Sequence, residues 1–206
     1  MGRYGHNIRD LIFEEDVRLM FNKCRNDRER LLLSFLWVTG ARPAEINQIK
    51  KEDIAVYEHT LSIKVKTLKL GRAKGFTIEN RTLEFERPTG LDEITWLETI
   101  AGKAIAAQPD QVLLPFTTRW QSKVINRLGT EAIGKAISPY HLRHSVLSYK
   151  AASGYTIDQL MHMKGAKSIE SVSTYLQARP FVIQLKNERT FRQEQKKGTP
   201  DAPPAQ

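Results

Sequence analysis

Arg42, Arg143 and Tyr175 are residues of this chain whose types and spacing could do chemistry together. Tyr140, Arg143 and His144 fall at i, i+3 and i+4 of a segment that opens Ser138-Pro139, so all three share one face of a predicted helix. Ser138 is a good N-cap, and Pro139 takes the first helical position, where its missing N–H costs nothing. Tyr175 follows Arg143 by 32 residues, in a second segment separated from the first by Gly165. Arginine suits the charge that develops on the non-bridging oxygens of a phosphate under attack, because its planar fork donates two hydrogen bonds and stays protonated. A phenol can attack phosphorus and store the bond energy as a phosphotyrosine. A lysine with a tuned pKa can protonate the departing oxygen. Upstream lies a lysine-rich stretch containing Lys66, Lys69 and Lys74. The set describes phosphodiester cleavage without a metal.

The elements that must position these groups follow from the pattern of apolar residues. Phe13 to Val17 starts a helix with acids in its first turn, where they suit the positive end of the helix dipole. Arg28 to Val38 is apolar nearly all round and reads as a central core helix, ended by Thr39-Gly40. Pro43 opens a short helix with Glu45 in its first turn. From Thr60 the period changes to two: Leu61, Ile63 and Val65 alternate with polar residues, the pattern of a half-buried strand. Gly71 and Gly75 bracket a cationic turn, and Phe76–Ile78 and Leu83–Phe85 read as short strands beyond it. Asp92 to Ala106 is a helix, Val112 to Phe116 a buried connector, and Thr118 caps a helix through Leu128. Gly129 and Gly134 mark the loop into Ser138. Pro180 to about Arg192 forms one more amphipathic helix. The expected fold is mainly α with a small antiparallel sheet of two or three strands, an α+β domain over residues 11–192. Residues 1–10 are expected to be a linker, and the polar, proline-rich residues 193–206 a disordered tail.

The bulk numbers agree with a nucleic-acid partner. The chain has 206 residues, 40% hydrophobic and 27% charged, with 32 Lys and Arg against 23 Asp and Glu, a net charge of +9. Such a basic domain commonly binds a polyanion. No apolar run approaches a membrane span, and no signal sequence opens the chain. Cys24 is the only cysteine, so an internal disulfide is excluded and a cytoplasmic setting fits.

Taken singly, each candidate has a plainer reading. Arg42 is a surface cation at a helix end, Tyr175 a half-buried core tyrosine, His144 a hydrogen-bonded structural histidine and the hairpin lysines a solvated strand edge. Their joint order argues otherwise. Thr39 to Ile46 with Lys51 to Ile54 resembles the first arginine box of the tyrosine recombinases, or phage-type integrases. Pro139 to Ser145 resembles the second box, and Gly165 to Tyr175 the terminal glycine-to-tyrosine segment. The basic hairpin is similar to the strand pair that carries the catalytic lysine of that family. The resemblance covers roughly residues 11–185, the catalytic domain, and the additional N-terminal DNA-binding domain usual in such recombinases is not expected in this chain.

That resemblance implies a site-specific recombinase that cuts and rejoins DNA through a 3′-phosphotyrosine, with neither metal nor ATP. It implies that Arg42 and Arg143 clamp the scissile phosphate, Tyr175 attacks it, and Glu45 orients Arg42. Lys66 fits the lysine pattern best, with Lys69 and Lys74 close competitors. Tyr140 stands where the family usually has histidine, as in some archaeal plasmid and viral integrases. Ala166 stands where the family usually has His or Trp; His162 and Lys167 are neighbours that could substitute. Lys69, Arg72, Lys74, His141, His144 and Lys167 are candidate DNA contacts. The expected partners are double-stranded DNA and further copies of the chain, a tetramer in the synaptic complex, with no membrane. Rival readings are a type IB topoisomerase-like relaxing activity and a catalytically impaired DNA-binding homologue.

Overall fold

The computed structural model describes residues 11–71, 75–86 and 96–197, with the side chains of 68–71, 75–78 and 192–197 left aside. Helices α1 (Glu14–Asn22), α2 (Asp27–Thr39) and α3 (Pro43–Ile46) lead, through a 3-10 turn at Lys51–Asp53, into strands β1 (Ile54–Val56), β2 (Thr60–Gly71) and β3 (Gly75–Glu86). Five helices follow: α4 (Trp96–Ala106), α5 (Thr118–Ile133), α6 (Pro139–Ala152), α7 (Ile157–Lys164) and α8 (Glu170–Lys197). The fold is mainly helical with one small antiparallel sheet, as the sequence pattern predicts.

Helix α2 is the axis of the core. Leu31, Leu32, Leu33, Phe35 and Leu36 are all buried, so it has no solvent face over that stretch. Asn26 caps its start by accepting from the Glu29 N–H, and Gly40 ends it at φ 55°, a left-handed conformation that favours glycine. The sheet order is β1-β2-β3, with Ile63 opposite Leu83, Val65 opposite Arg81 and Thr67 opposite Glu79. Leu61, Ile63, Val65 and Thr67 are buried while Lys64 is exposed, which is the alternation read from the sequence. The connector at Val112 pairs with Lys50 as an isolated antiparallel bridge, tying the chain after α4 to the chain after α3.

Four expectations are corrected. The two short strands beyond the hairpin are one, because β3 pairs with β2 along its whole length. Thr117, not Thr118, caps α5, accepting from the Trp120 N–H. That helix also runs through Gly129 to Ile133; a Cβ on Gly129 would lie 2.5 Å from the Ile137 side chain and 2.6 Å from the Lys135 carbonyl, so close packing, not a loop, requires glycine there. Finally, α8 is continuous from before Tyr175 to Lys197, with Pro180 inside it. Proline removes one hydrogen bond to the carbonyl four residues earlier. Burial of Val172, Ala178 and Val182 along one side of α8 holds the two halves in line, and the helix extends past residue 193, where the tail was expected to begin. Pro88 to Gly90, the start of the expected helix at Asp92, and residues 1–10 and 198–206 lie outside the described residues.

Candidate phosphate-binding site

The site forms where the end of α2, strand β3 and the helices α6, α7 and α8 converge. Arg42 is the N-cap of α3, and Glu45 is its third helical residue. Glu45 therefore reaches back: its Oε2 accepts from the Arg42 backbone N–H at 2.9 Å and its Oε1 from Arg42 Nη1 at 2.7 Å. This local geometry fixes the direction of the Arg42 guanidinium, which is about one-third exposed while Glu45 is buried.

Arg81 completes the frame. On β3 it falls on the buried side with Leu83, and its guanidinium is fully engaged by three elements. Nη2 donates to Glu45 Oε2 at 2.9 Å, Nε donates to the Met163 carbonyl of α7 at 3.1 Å, and Nη1 donates to Thr67 Oγ1 of β2. Burial alone would raise the Glu45 carboxyl, but hydrogen bonding and charge from Arg81 and Arg42 outweigh it and hold the group below the ordinary carboxylate range.

Arg143 enters from α6. Its Nη1 donates to the Gly40 carbonyl at 2.5 Å and its Nη2 to the Lys164 carbonyl at 2.8 Å, so the end of α2 and the end of α7 both aim it. Nη1 also lies 4.0 Å from Glu45 Oε2. Burial, and then the nearby charge of Arg42, pushes the Arg143 guanidinium down to about 10, against the opposing pull of Glu45.

Tyr175 meets this cluster from α8. Its ring centroid is 5.4 Å from that of His144. Burial raises its phenol, and Arg143 and Arg42 pull it back down, so both arginines act on the hydroxyl's ionisation. Lys164, the last residue of α7, places its Nζ 5.0 Å from the centre of the Tyr175 ring and donates to the Ser171 carbonyl. Gly165 then turns the chain at φ 62°, with a hypothetical Cβ only 2.8 Å from Arg81 Nη1 and 2.9 Å from Thr67 Oγ1.

The structure thus brings Arg42, Glu45, Arg143, His144 and Tyr175 together. Lys66 lies on the face of β2 opposite Val65 and Thr67, and its Nζ pairs with Asp53 Oδ2 at 3.3 Å. Lys69 is on β2, but its side chain lies outside the described residues, as do Arg72 and Lys74 entirely. Tyr140 shares the α6 face of Arg143 and His144 but, in the first turn, is half exposed where they are buried. His141 is drawn into capping α6, its Nδ1 accepting from the Ser138 N–H at 3.0 Å. Lys167 pairs with Glu79 of β3, and His162 contacts the Thr82 carbonyl at 2.8 Å, so neither turns toward Tyr175. Ala166 packs into the apolar cluster of Leu160 and Val172. Among the described residues no group of three or more His, Cys, Asp or Glu side chains could hold a metal ion, and no helix is long and apolar enough to cross a membrane.

Arg81 and Lys164 are the participants that sequence reasoning passed over. Arg81 carried a signal, since it stands on the apolar side of a strand alternation, where a cation needs a buried partner. Lys164 carried none beyond a cation in the last turn of a helix, which the dipole alone explains.

Residues 11–180 match the model of the phage integrase family. The chain belongs to that family. This phage integrase family member is 23% identical over 174 residues to the tyrosine recombinase XerC of Staphylococcus aureus (strain USA300 / TCH1516), a match covering 79% of this chain and 55% of the relative. It spans about half the length of the curated relatives it matches. Its fold is shared with XerH site-specific recombinase bound to palindromic difH substrate in a post-cleavage complex (TM-score 0.64, 15% identity, 86% of this chain and 52% of that one). The same holds for the XerA recombinase (TM-score 0.58, 18% identity, 81% and 58%).

Proposed function

We propose that residues 11–192 act as the catalytic domain of a site-specific DNA recombinase. The observation that carries this reading is the convergence of Tyr175 with Arg42 and Arg143 around one buried carboxylate, Glu45. Arg42, Arg81 and Arg143 outnumber that carboxylate, so the site holds uncompensated positive charge beside a phenol, and a phosphodiester supplies the missing anion.

In this mechanism Arg42 and Arg143 hold the non-bridging oxygens of the scissile phosphate. The Tyr175 oxygen forms a bond to phosphorus as the bond from phosphorus to the 5′-oxygen breaks. The phenolic proton passes to solvent water, and the 5′-oxygen takes up a proton from a general acid, for which Lys66, Lys69 and Lys74 are the hairpin candidates. A 5′-hydroxyl from a partner strand reverses the step, so the phosphotyrosine bond conserves the energy for religation without ATP. Burial keeps the phenol neutral at rest, and the two guanidiniums stabilise its charge as attack begins. Exchange between duplexes needs a protomer at each exchanging strand, so the chain works as a tetramer on DNA. Lys69, Arg72, Lys74, His141 and Lys167 would then lie along the backbone.

The test is incubation with a pool of nicked duplexes of randomised sequence, in which the short cleaved strand diffuses away, followed by denaturing electrophoresis. A protein–DNA adduct that disappears in Tyr175→Phe supports the reading. Duplex binding without adduct at any pH overturns it.

A further inference from the structure

Lys164 is the one described lysine that the fold places among the arginines of the site. Its own carbonyl accepts from Arg143 Nη2, so its backbone is fixed to the residue that would hold the phosphate. Its Nζ lies over the Tyr175 ring, and its other described contact is the neutral Ser171 carbonyl. Among the described ion pairs none includes Lys164. The groups that face this corner are Arg42 and Glu45 from the start of α3, Arg81 from β3, Arg143 and His144 from α6, and Tyr175 from α8. Glu45 already accepts from Arg42 and Arg81, so among the described residues the ammonium of Lys164 has no acid of its own.

A half-buried ammonium beside two guanidiniums is unfavourable in a protein that must merely fold, because like charges repel and burial disfavours the charged form. The arrangement becomes favourable once an anion occupies the space that the cations share. We propose, resting on the reading of Tyr175 as the nucleophile, that Lys164 is a further catalytic residue whose ammonium contacts a non-bridging oxygen of the scissile phosphate. On entry of the phosphate, Nζ exchanges the Ser171 carbonyl for a charged acceptor, and a charge-assisted hydrogen bond is roughly twice as strong as a neutral one. The site then holds three cations on the phosphate: two rigid forks and one flexible ammonium.

A pH dependence follows with a definite sign. In the free protein burial, Arg143 and Arg42 push the Lys164 ammonium down to about 8. It is charged below that pH and neutral above it, so its contribution fades as pH rises through about 8. A bound phosphate reverses the repulsion and raises the group again.

The experiment compares wild type, Lys164→Met and Lys164→Arg on the randomised nicked pool, scoring the initial rate of adduct formation from pH 7 to pH 9. Lys164→Met is expected to lose about 100-fold at pH 7, the effect of removing one transition-state donor. Lys164→Arg restores most of that loss, and the ratio of wild-type to Lys164→Arg rate falls as pH rises through about 8. A second readout follows the Lys164 side chain by lysine-selective isotope labelling and NMR in Tyr175→Phe; its titration moves upward when duplex is added. Equal rates for wild type and Lys164→Met across the range, with the adduct still lost in Tyr175→Phe, overturn the role of Lys164 and leave the nucleophile standing. No adduct from wild type, with the titration still moved by duplex, overturns the nucleophile and keeps the phosphate contact. A titration unmoved by duplex overturns the contact itself.

Discussion

Glu45 and Arg81, 36 residues apart in sequence, form a buried ion pair with Nη2 and Oε2 at 2.9 Å and side-chain exposures of 1% and 4%. The pair joins the start of α3 to β3, and through the other guanidinium nitrogens it also holds Thr67 and the Met163 carbonyl. A frame of this kind sets where Arg42 points before any ligand arrives.

Removing one partner should therefore be far worse than removing both. Glu45→Leu leaves Arg42, Arg81 and Arg143 uncompensated and is expected to cost about 3–5 kcal/mol. Adding Arg81→Met to that variant should cost much less than Arg81→Met in wild type. Urea denaturation of the four proteins measures the coupling, and strict additivity would remove the frame from the account.

Gly165 and Gly102 make a contrasting pair. At Gly165 the left-handed backbone disfavours a side chain by about 1–2 kcal/mol, and the added Cβ also collides with Arg81 and Thr67. Gly165→Ala should lower stability by more than the backbone term alone. A Cβ at Gly102, inside α4, meets nothing within 4 Å, so Gly102→Ala should stabilise by about 0.5–1 kcal/mol. Thermal midpoints of the two variants check both signs.

Inorganic phosphate should raise the thermal midpoint of the wild-type protein at fixed ionic strength, because an anion that binds the native cluster stabilises it by mass action. Arg143→Ala should abolish most of that gain. Chloride at matched ionic strength is the control for general salt effects.

The burial of Lys164 also has a consequence for stability against pH. Its native value near 8 lies below the ordinary lysine value of 10.5, so between them the unfolded chain binds more protons and stability rises with pH. The penalty is fully present below about pH 8 and is relieved as pH approaches 10.5. Wild type should accordingly gain on Lys164→Met over that window in urea midpoint. An unchanged difference would mean that Lys164 titrates normally in the native state.

Asp16 of α1 and Arg189 of α8 fix the far half of the last helix. Arg189 Nη1 and Nη2 contact the two Asp16 oxygens, at 2.9 and 2.5 Å, and its guanidinium lies 4.3 Å from the Phe13 ring centre. Arg189→Ala should speed amide exchange beyond Pro180 while leaving the turn that carries Tyr175 protected. Hydrogen exchange resolved along α8 reads this directly.

Much of this architecture is written locally. Arg42, Arg143 and Tyr175 stand beside Gly40, Pro43, Pro139 and Gly165, residues whose backbone requirements mark element ends in any sequence. The strand alternation from Leu61 to Thr67 is equally local. What escaped the sequence depends on distant partners. Pro180 reads as a helix boundary until the packing of Val172, Ala178 and Val182 against the body is known. The pairing of Lys66 with Asp53, 13 residues earlier, is likewise invisible in the strand alternation. Lys164 acquires meaning only when the end of α7 is carried against Arg143 and Tyr175.

The position of Tyr175 on α8 bears on how the chain fails. On the reading of Tyr175 as the nucleophile, it follows every other site residue in chain order, after Arg42, Glu45, Arg81, Arg143 and Lys164. Synthesis that stalls, or proteolysis that clips the chain anywhere before α8, yields a product with arginines but no means of cutting. On that same reading, an incomplete copy leaves no broken strand behind.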